Sequence, residues 1–474
     1  MRLVRICLTL ARHDALSPLT AVPAAVPFVR FGHLFARRRS RVLPRPGQRL
    51  AAAFEELGPS FIKLGQLLST RADLLGEEIT TDLTGLQDQL PPFPGTEARA
   101  LIEAEFARPL DGLFASFDEG AIAAASIAQV HFARTTDGHE VAVKVLRPGI
   151  AAAFARDLDL FLWLAGLGER LQPALRRLKP IEVVQTLAEV VRFEMDLRME
   201  AAAAAELAEN FAGDSNFRVP RVDWARTGRT VLTLERISGI RIDDKAALLV
   251  AGHCIEDLLR KAAAAFFNQV FRDGFFHADL HPGNMFVDAD GAIAVVDFGI
   301  MGRLDRDTRF YLADMLLGFL SGDYRRVAEI HFAAGYVPTD RSIDAFTQAC
   351  RSIGEPILGK PLQEISVARL LAQLFEITEQ FDMETQPQLL LLQKTMVVIE
   401  GVGRRLDPEI NIWALARPLL RLDLHRFRNG NCLWLWGSNL LRLRVRYRCR
   451  FVGNDILGLP LARQWNRTRP DQRR

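Results

Sequence analysis

Phe275 to Asn284 reads "FFHADLHPGN", and thirteen residues past that asparagine Asp297 opens the triplet "DFG". A Gly/Pro-containing loop with two histidines, an aspartate and an asparagine, followed by a second aspartate, suits chemistry run by electrostatics. Phosphoryl transfer is such a chemistry: Mg²⁺ neutralises phosphate charge, and acid and amide oxygens hold the metal and place the nucleophile. Asp279 and Asn284 stand five apart, the spacing of H-x-D-x-x-x-x-N. Between Asn284 and Asp297 lies "MFVDADGAIAVV", which predicts two short strands around an Asp290-Gly291 turn. Such a ribbon returns Asp297 to Asn284, so both are candidate Mg²⁺ ligands, with Asp279 at the catalytic-base position. "DFG" alone recurs by chance in long chains; the loop, the hairpin and the triplet together are far more specific. His277 is read as a prop for the loop and His281, before Pro282, as part of a turn.

Working upstream, the same chemistry needs a strand lysine on the nucleotide phosphates and a helix glutamate to orient it. "VAVKVL" supplies Lys144 in a β-branched setting, on the second strand of a hairpin turning at Asp137-Gly138. "RFEMDLRMEAAAAAELAENF" is read as helical and offers Glu194, Asp196 and Glu200. At 100° per residue, Glu200 falls about 40° from Asp196 but about 120° from Glu194, so the two glutamates serve different faces. No G-x-G-x-x-G precedes Lys144. In its place stands "IAAASIAQVHFA", whose Ala123, Ala124, Ala125 and Ser126 occupy the nucleotide-loop position; alanines cannot wrap phosphates as closely as glycines. The strand "RTVLTLE" ends on Glu235, which completes the cofactor-binding set. The order is that of a protein-kinase-like two-lobe α+β fold, with a small β-containing N-lobe and a large helical C-lobe.

The chain has 474 residues, 49% hydrophobic and 25% charged, which suits two or three cored domains. Periodicity predicts helix over 50–90, 154–171, 181–211 and 255–273. The expected divisions are a basic segment 1–49, a helical extension 50–100, an N-lobe 101–238, a C-lobe 239–425 and an Arg-rich tail 426–474. Five cysteines without C-x-x-C spacing argue against a disulfide framework or a zinc site and fit a reducing, cytosol-facing location. Net charge is +3, but residues 1–45 hold nine Arg against one acid and residues 421–474 thirteen Arg against three, leaving the middle about −15. Basic ends on an acidic body suit an anionic membrane surface, and with few aromatics between the arginines no nucleic-acid partner is expected. "ALSPLTAVPAAVPFV" is short and broken by three prolines, so no spanning helix is expected there.

At these residues the chain resembles the UbiB family of atypical, kinase-like proteins tied to ubiquinone biosynthesis. "AAASIAQVH", "VAVKVLRPG", "FEMDLRMEA", "FFHADLHPGN", "DFGIMGRL" and "LLQKTMVVIEGVGRRLDPEINIW" carry the likeness. "GPSFIKLGQLLSTRADLL" and "LQDQLPPFP" extend it to an N-terminal K-x-G-Q segment. The resemblance implies that Lys144 contacts ATP phosphates and pairs with Glu200, and that Asn284 and Asp297 bind Mg²⁺. It implies too that Lys63, Gly65 and Gln66 form a regulatory cover over the site, with Lys63 engaging Glu194 of the E-x-D pair Glu194/Asp196. The implied activity is an ATPase or kinase that supports processing of polyprenyl phenols, peripheral on the cytoplasmic face of the inner membrane. Quinone intermediates or the enzymes that act on them are the implied partners, and a homodimer is compatible. Family members commonly close with two membrane-spanning helices. Here arginine falls at every second position from Arg442 to Arg450, which cannot span a bilayer and leaves peripheral binding through Arg clusters and Trp434/Trp436.

Two other classes stay open at this point. A pseudokinase scaffold would bind nucleotide without turnover. A direct iron-dependent hydroxylase would use His277, Asp279 and a second histidine as a two-His-one-carboxylate site, which leaves Lys144, Glu200, Asn284 and Asp297 without a role.

Overall fold

In the computed structural model, described residues are 2–15, 45–69, 75–83, 85–86, 90–171, 179–356, 377–378, 380–383 and 387–408. They fall within the unit Met1–Cys432. The arginines of residues 30–41, the alternation from Arg442 to Arg450 and the Trp434/Trp436 pair lie outside the described residues.

Proline phases the first helices. After α1 (Arg2–Arg12), both α2 (Pro46–Leu57) and α3 (Pro59–Leu68) begin on a proline, whose missing N–H costs nothing in a first turn. Gly58 between them sits at φ 102°, so the helix expected over 50–90 is broken at that glycine. A short α4 (Glu77–Leu83) follows. Residues 90–94, "LPPFP", run extended into α5 (Gly95–Phe106). This strap is tied to the sheet by Gln129, which accepts from the Phe93 N–H (2.9 Å) and donates to the Phe93 carbonyl (3.1 Å).

β1 (Phe114–Phe117), β2 (Ala123–Ala124), β3 (Ala128–Thr135) and β4 (Glu140–Leu146) start the N-lobe sheet. β3 and β4 form the expected hairpin, with Gly138 in the left-handed region at φ 91°. Strand alternation sends Val141, Val143 and Val145 to one face, where they bury against Ala98 and Ile102 of α5, and Lys144 to the other. The paired helices α6 (Ile150–Leu171) and α7 (Pro180–Glu194) come next, then α8 (Leu197–Asn210). The single helix expected over 181–211 therefore ends at Glu194. Asp196 caps α8 by accepting from the Arg198 N–H at 3.2 Å, and a cap needs extended backbone, which a continuous helix cannot supply.

β5 (Phe217–Arg218) precedes β6 (Val231–Glu235), which pairs with β4 and completes the order β1-β3-β4-β6, with β2 on β3. The chain then leaves through Gly239, where a Cβ would stand 2.6 Å from the Val287 carbonyl, so only glycine lets the link pass this close. β7 (Ile240–Arg241), α9 (Lys245–Val250) and α10 (Ile255–Phe267) open the C-lobe, and a π-helical turn, Asn268–Asp273, replaces the end of the helix expected to 273. β8 (Phe275–His277), β9 (Met285–Val287), β10 (Ile293–Val295) and β11 (Met301–Arg303) are short and buried under the helices. β9 and β10 form the expected ribbon, with Val287 opposite Ile293 and Met285 opposite Val295. Asp288 fixes its turn by accepting from the Asp290 and Ala292 N–H groups, and Gly291 takes φ 75°. α11 (Arg306–Ser321), α12 (Tyr324–Ala333), α13 (Ile343–Gly354) and α14 (Pro387–Leu406) complete the described C-lobe. α14 docks against β11 and α10. The α+β two-lobe expectation is borne out. No helix among the described residues is long and apolar enough to cross a membrane.

Candidate functional site

The site is organised by one ammonium group. Lys144, on the cleft face of β4, donates to both oxygens of Glu200 (2.8 and 2.9 Å) and to Asp297 Oδ1 (3.0 Å). α8 supplies Glu200 from its first turn, so the Asp196 cap that starts this helix also sets where Glu200 points. Asp297 follows β10 with φ 65°, a left-handed conformation that aspartate tolerates better than most residues and that carries strain of order 1–3 kcal/mol. Its carboxylate remains half exposed, at 49%.

Electrostatics follow from this sharing. Burial opposes charge on Lys144, yet Asp297 and Glu200 together hold its pKa above the ordinary lysine value. The Lys144 ammonium, against burial and helped by His277 and Lys63, keeps Asp297 well below the usual carboxylate range. Burial pushes the Glu200 carboxyl up to about 7; Lys144 opposes this and Asp297 reinforces it. Asp297 is thus the firmly anionic group, and Glu200 is the acid on the edge of protonation.

The ribbon brings Asn284 to Asp297: the Val296 N–H, one residue before Asp297, donates to the Asn284 carbonyl at 3.0 Å. Asn284 is buried, and its Nδ2 donates to the Asp279 carbonyl (3.1 Å), which leaves Oδ1 as the group able to meet a cation. An amide oxygen and an anionic carboxylate are hard donors of the kind Mg²⁺ takes, so the residues present fit that ion. Asp279 itself faces outward, with Lys394 Nζ of α14 at 3.0 Å from Oδ1.

His277 is fully buried. Its Nδ1 accepts from the Asp279 N–H (3.1 Å) and its Nε2 lies 3.3 Å from the Val296 carbonyl, so both nitrogens brace the loop. His281 Nδ1 accepts from the Gly283 N–H (3.0 Å) within the turn before Asn284. Both His277 nitrogens and His281 Nδ1 are thereby engaged with the loop's own backbone. Among the described residues there is no group of three or more His, Cys, Asp or Glu side chains able to hold a metal ion.

The Ala-rich loop is built without left-handed residues: none of Ala123, Ala124, Ala125 or Ser126 has positive φ. Ala123 and Ala124 pair with Val130 and Gln129, and the turn beyond them is clamped by Arg147, which donates to the Ala125 carbonyl from Nε (3.0 Å) and Nη2 (2.8 Å). The same Nη2 reaches the Leu90 carbonyl (3.3 Å), and the guanidinium lies 5.7 Å from the Phe93 ring centroid, so one side chain locks loop and strap together. Ser126 is fully buried and presents no hydroxyl to the cleft.

The K-x-G-Q residues divide. Lys63 meets Glu194, the last residue of α7, at 3.0 Å, with side chains only 10% and 8% exposed. Gly65 has a packing reason of its own: a Cβ there would stand 2.4 Å from Leu86 Cδ1 and 2.7 Å from Phe54 Cδ2. Gln66 is half-buried on α3 and accepts from Ser69 Oγ through its backbone carbonyl (2.7 Å). Asp196 is occupied by Arg198 at 2.6 and 2.8 Å as well as by the cap. Glu235 is bound by Arg218 (2.5 Å) and Arg221 (3.3 Å), so its carboxylate is committed to those arginines. Lys394 and Arg147 were not singled out by the sequence. Both sit inside the quoted "LLQKTMVVIEG" and "VAVKVLRPG" stretches, but a lone cation on a helix or strand end carries no local signal of its partner.

Comparison with known proteins agrees with this geometry. The ABC1 atypical kinase-like domain matches residues 85–331 and the UbiB helical domain residues 350–411. The chain is 44% identical over 439 residues to the "Probable protein kinase UbiB" of Marinobacter nauticus, covering 90% of this chain and 79% of that one. It is 46% identical over 388 residues to the protein of the same name from Azotobacter vinelandii, covering 81% and 72%. A solved structure of Rv3197 from Mycobacterium tuberculosis in complex with erythromycin superposes with TM-score 0.55 at 24% identity, over 84% of this chain and 98% of that one, and shares the fold. With its kinase-like domain and its C-terminal helical domain both matched, this chain belongs to the UbiB family of atypical, kinase-like proteins.

Proposed function

We propose that the protein binds Mg-ATP in the cleft of Lys144, Glu200, Asn284 and Asp297, and that its turnover of ATP supports ubiquinone biosynthesis at a membrane. One observation carries the reading: an ammonium held at 2.8–3.0 Å between a helix glutamate and the DFG aspartate, which a hairpin joins to Asn284. Mg²⁺, when bound, would neutralise β- and γ-phosphate charge, with Asn284 and Asp297 as its protein ligands. Lys144 would place the α- and β-phosphates, and Glu200 would fix Lys144. Asp279 would accept the proton of the attacking oxygen, water or a small phenol, as the bond to the γ-phosphorus forms and the bond to ADP breaks. The buried Lys63–Glu194 brace narrows what reaches that phosphorus, which favours hydrolysis or a small acceptor over a protein substrate. On this reading residues 50–100 cover the site, 101–238 and 239–425 are the two lobes, and the arginine-rich ends hold the protein on the cytoplasmic face of an anionic bilayer.

The test is nucleotide binding by calorimetry with and without Mg²⁺. Wild type is expected to bind only with Mg²⁺, and Asp297→Asn, checked for folding by circular dichroism, is expected to lose binding. Equal affinity of both proteins would refute the site. Binding without phosphate release, in the presence of anionic vesicles and phenol analogues, would make the protein a scaffold.

A further inference from the structure

The loop around Asp279 runs from His277 to Asn284 without a lysine or arginine. The loop at the nucleotide-loop position is alanine-rich, and its Ala125 N–H is already committed to the Ala128 carbonyl at 2.8 Å. A γ-phosphate with several partial charges needs more than a metal and a distant Lys144, which the α- and β-phosphates occupy. The structure nevertheless has a second cation at this end of the cleft, and it comes from outside the kinase-like domain. Lys394 of α14 puts Nζ 3.0 Å from Asp279 Oδ1.

Its position is fixed by the fold. Leu392, Thr395, Ile399, Val402 and Leu406 form the buried stripe of α14, and Thr395 Oγ1 donates to the Leu391 carbonyl (2.9 Å). The Lys394 side chain, by contrast, is 52% exposed, and that of Asp279 29%. An ion pair this wet is worth about 1 kcal/mol or less, so stability does not explain it. Other charged groups near Asp279 are His281, whose Nε2 is 4.0 Å from Oδ2, and the buried His277 beneath its backbone. Neither is a permanent cation.

The chemistry of transfer places the phosphate. The attacking oxygen must lie within about 3 Å of the Asp279 carboxylate and in line with the γ-phosphorus. A flexible ammonium on that same carboxylate is then one side-chain rotation from the γ-phosphate oxygens. We propose that Lys394 is the γ-phosphate ligand of this enzyme, held by Asp279 when the cleft carries no triphosphate and moved onto the γ-phosphate when ATP binds. The UbiB helical domain thereby supplies a catalytic side chain to the kinase-like domain. This rests on the Mg-ATP reading above and adds to it which residue tells ATP from ADP.

The test is calorimetric affinity for Mg-ADP and for the non-hydrolysable Mg-AMPPNP with the full chain as wild type, Lys394→Ala and Lys394→Arg. Loss of one charge-assisted hydrogen bond is expected to weaken AMPPNP by about tenfold in Lys394→Ala. ADP affinity should stay within about twofold and Lys394→Arg should recover most of the loss, a split that a purely structural lysine would not produce. Lys394→Ala binding both nucleotides as wild type does, or losing both equally, overturns the assignment while leaving the Mg-ATP site intact. Wild type binding neither nucleotide overturns both.

Discussion

Glutamate 200 is expected to make the stability of this protein depend on pH in a direction opposite to that of an ordinary ion-paired carboxylate. Its carboxyl is raised to about 7 from 4.5 in the folded state, burial being the main cause. A raised acid takes up its proton in the folded protein before it does in the unfolded chain. Its contribution is therefore fully present below pH 4.5 and is lost as pH rises through about 7. At about 1.4 kcal/mol per unit the full window is worth roughly 3 kcal/mol. The buried His131 and His277 and the half-buried His331 have pKa values lowered by desolvation and act in the other sense, losing stability as pH falls. The measurement is accordingly a difference: urea unfolding of wild type and Glu200→Gln at steps from pH 4.5 to 8. The variant is neutral at 200 throughout, and the histidines cancel. Wild-type stability relative to the variant should climb by roughly 3 kcal/mol from pH 8 to pH 4.5. Two curves that stay parallel would show that Lys144 fully compensates the buried carboxylate, and the account of Glu200 as the marginal acid would be wrong.

Removing Arg147 should free the Ala-rich turn. Arg147→Ala loses three hydrogen bonds to the Ala125 and Leu90 carbonyls, so backbone amides of residues 122–128 should exchange faster and global stability should fall by about 1–3 kcal/mol. Unchanged exchange there would mean that the turn holds itself. Lys63 and Glu194 are a buried pair, so Lys63→Met alone should cost about 3 kcal/mol by removing one partner of a buried ion pair, whereas Lys63→Met with Glu194→Leu should recover most of it. Urea midpoints of the two variants decide this, and a double variant no better than the single one would refute it.

What the sequence disclosed depended on how local the determinant was. The β9–β10 ribbon could be read because thirteen residues, an Asp-Gly turn and alternating apolar positions define it without outside help. The two-lobe order could be read because strand-period and helix-period stretches change over cleanly at Glu119 and again past Gly239. The break at Met195 was misread, although Asp196 stood there as a cap signal, because helical periodicity on both sides outweighed one residue. The conclusion that Glu194 and Glu200 serve different groups nevertheless agrees with what the structure shows, for another reason: they lie on separate helices. Gly65 was grouped with a functional motif, yet its lack of a Cβ is demanded by Leu86 and Phe54, contacts that no local pattern encodes. Arg147 and Lys394 escaped because their partners lie 22 and 115 residues away and nothing in their neighbours points there.

Lys63 and Lys394, which lie outside the matched kinase-like domain, residues 85–331, differ in the strength of their hold. Lys63 and Glu194 are about nine-tenths buried, so withdrawing the lysine removes one partner of a buried ion pair at a cost of several kcal/mol. Lys394 and Asp279 stand half in water, and parting them costs about 1 kcal/mol or less. A triphosphate brings ample charge to displace the second lysine and gains nothing comparable by displacing the first. On the proposal above, the contact from the N-terminal helices is expected to persist when nucleotide binds, and the contact from α14 is the one expected to part. On the proposed function, nucleotide would uncover Asp279 and leave the Lys63–Glu194 contact in place, which would favour water or a small acceptor approaching from the α14 side.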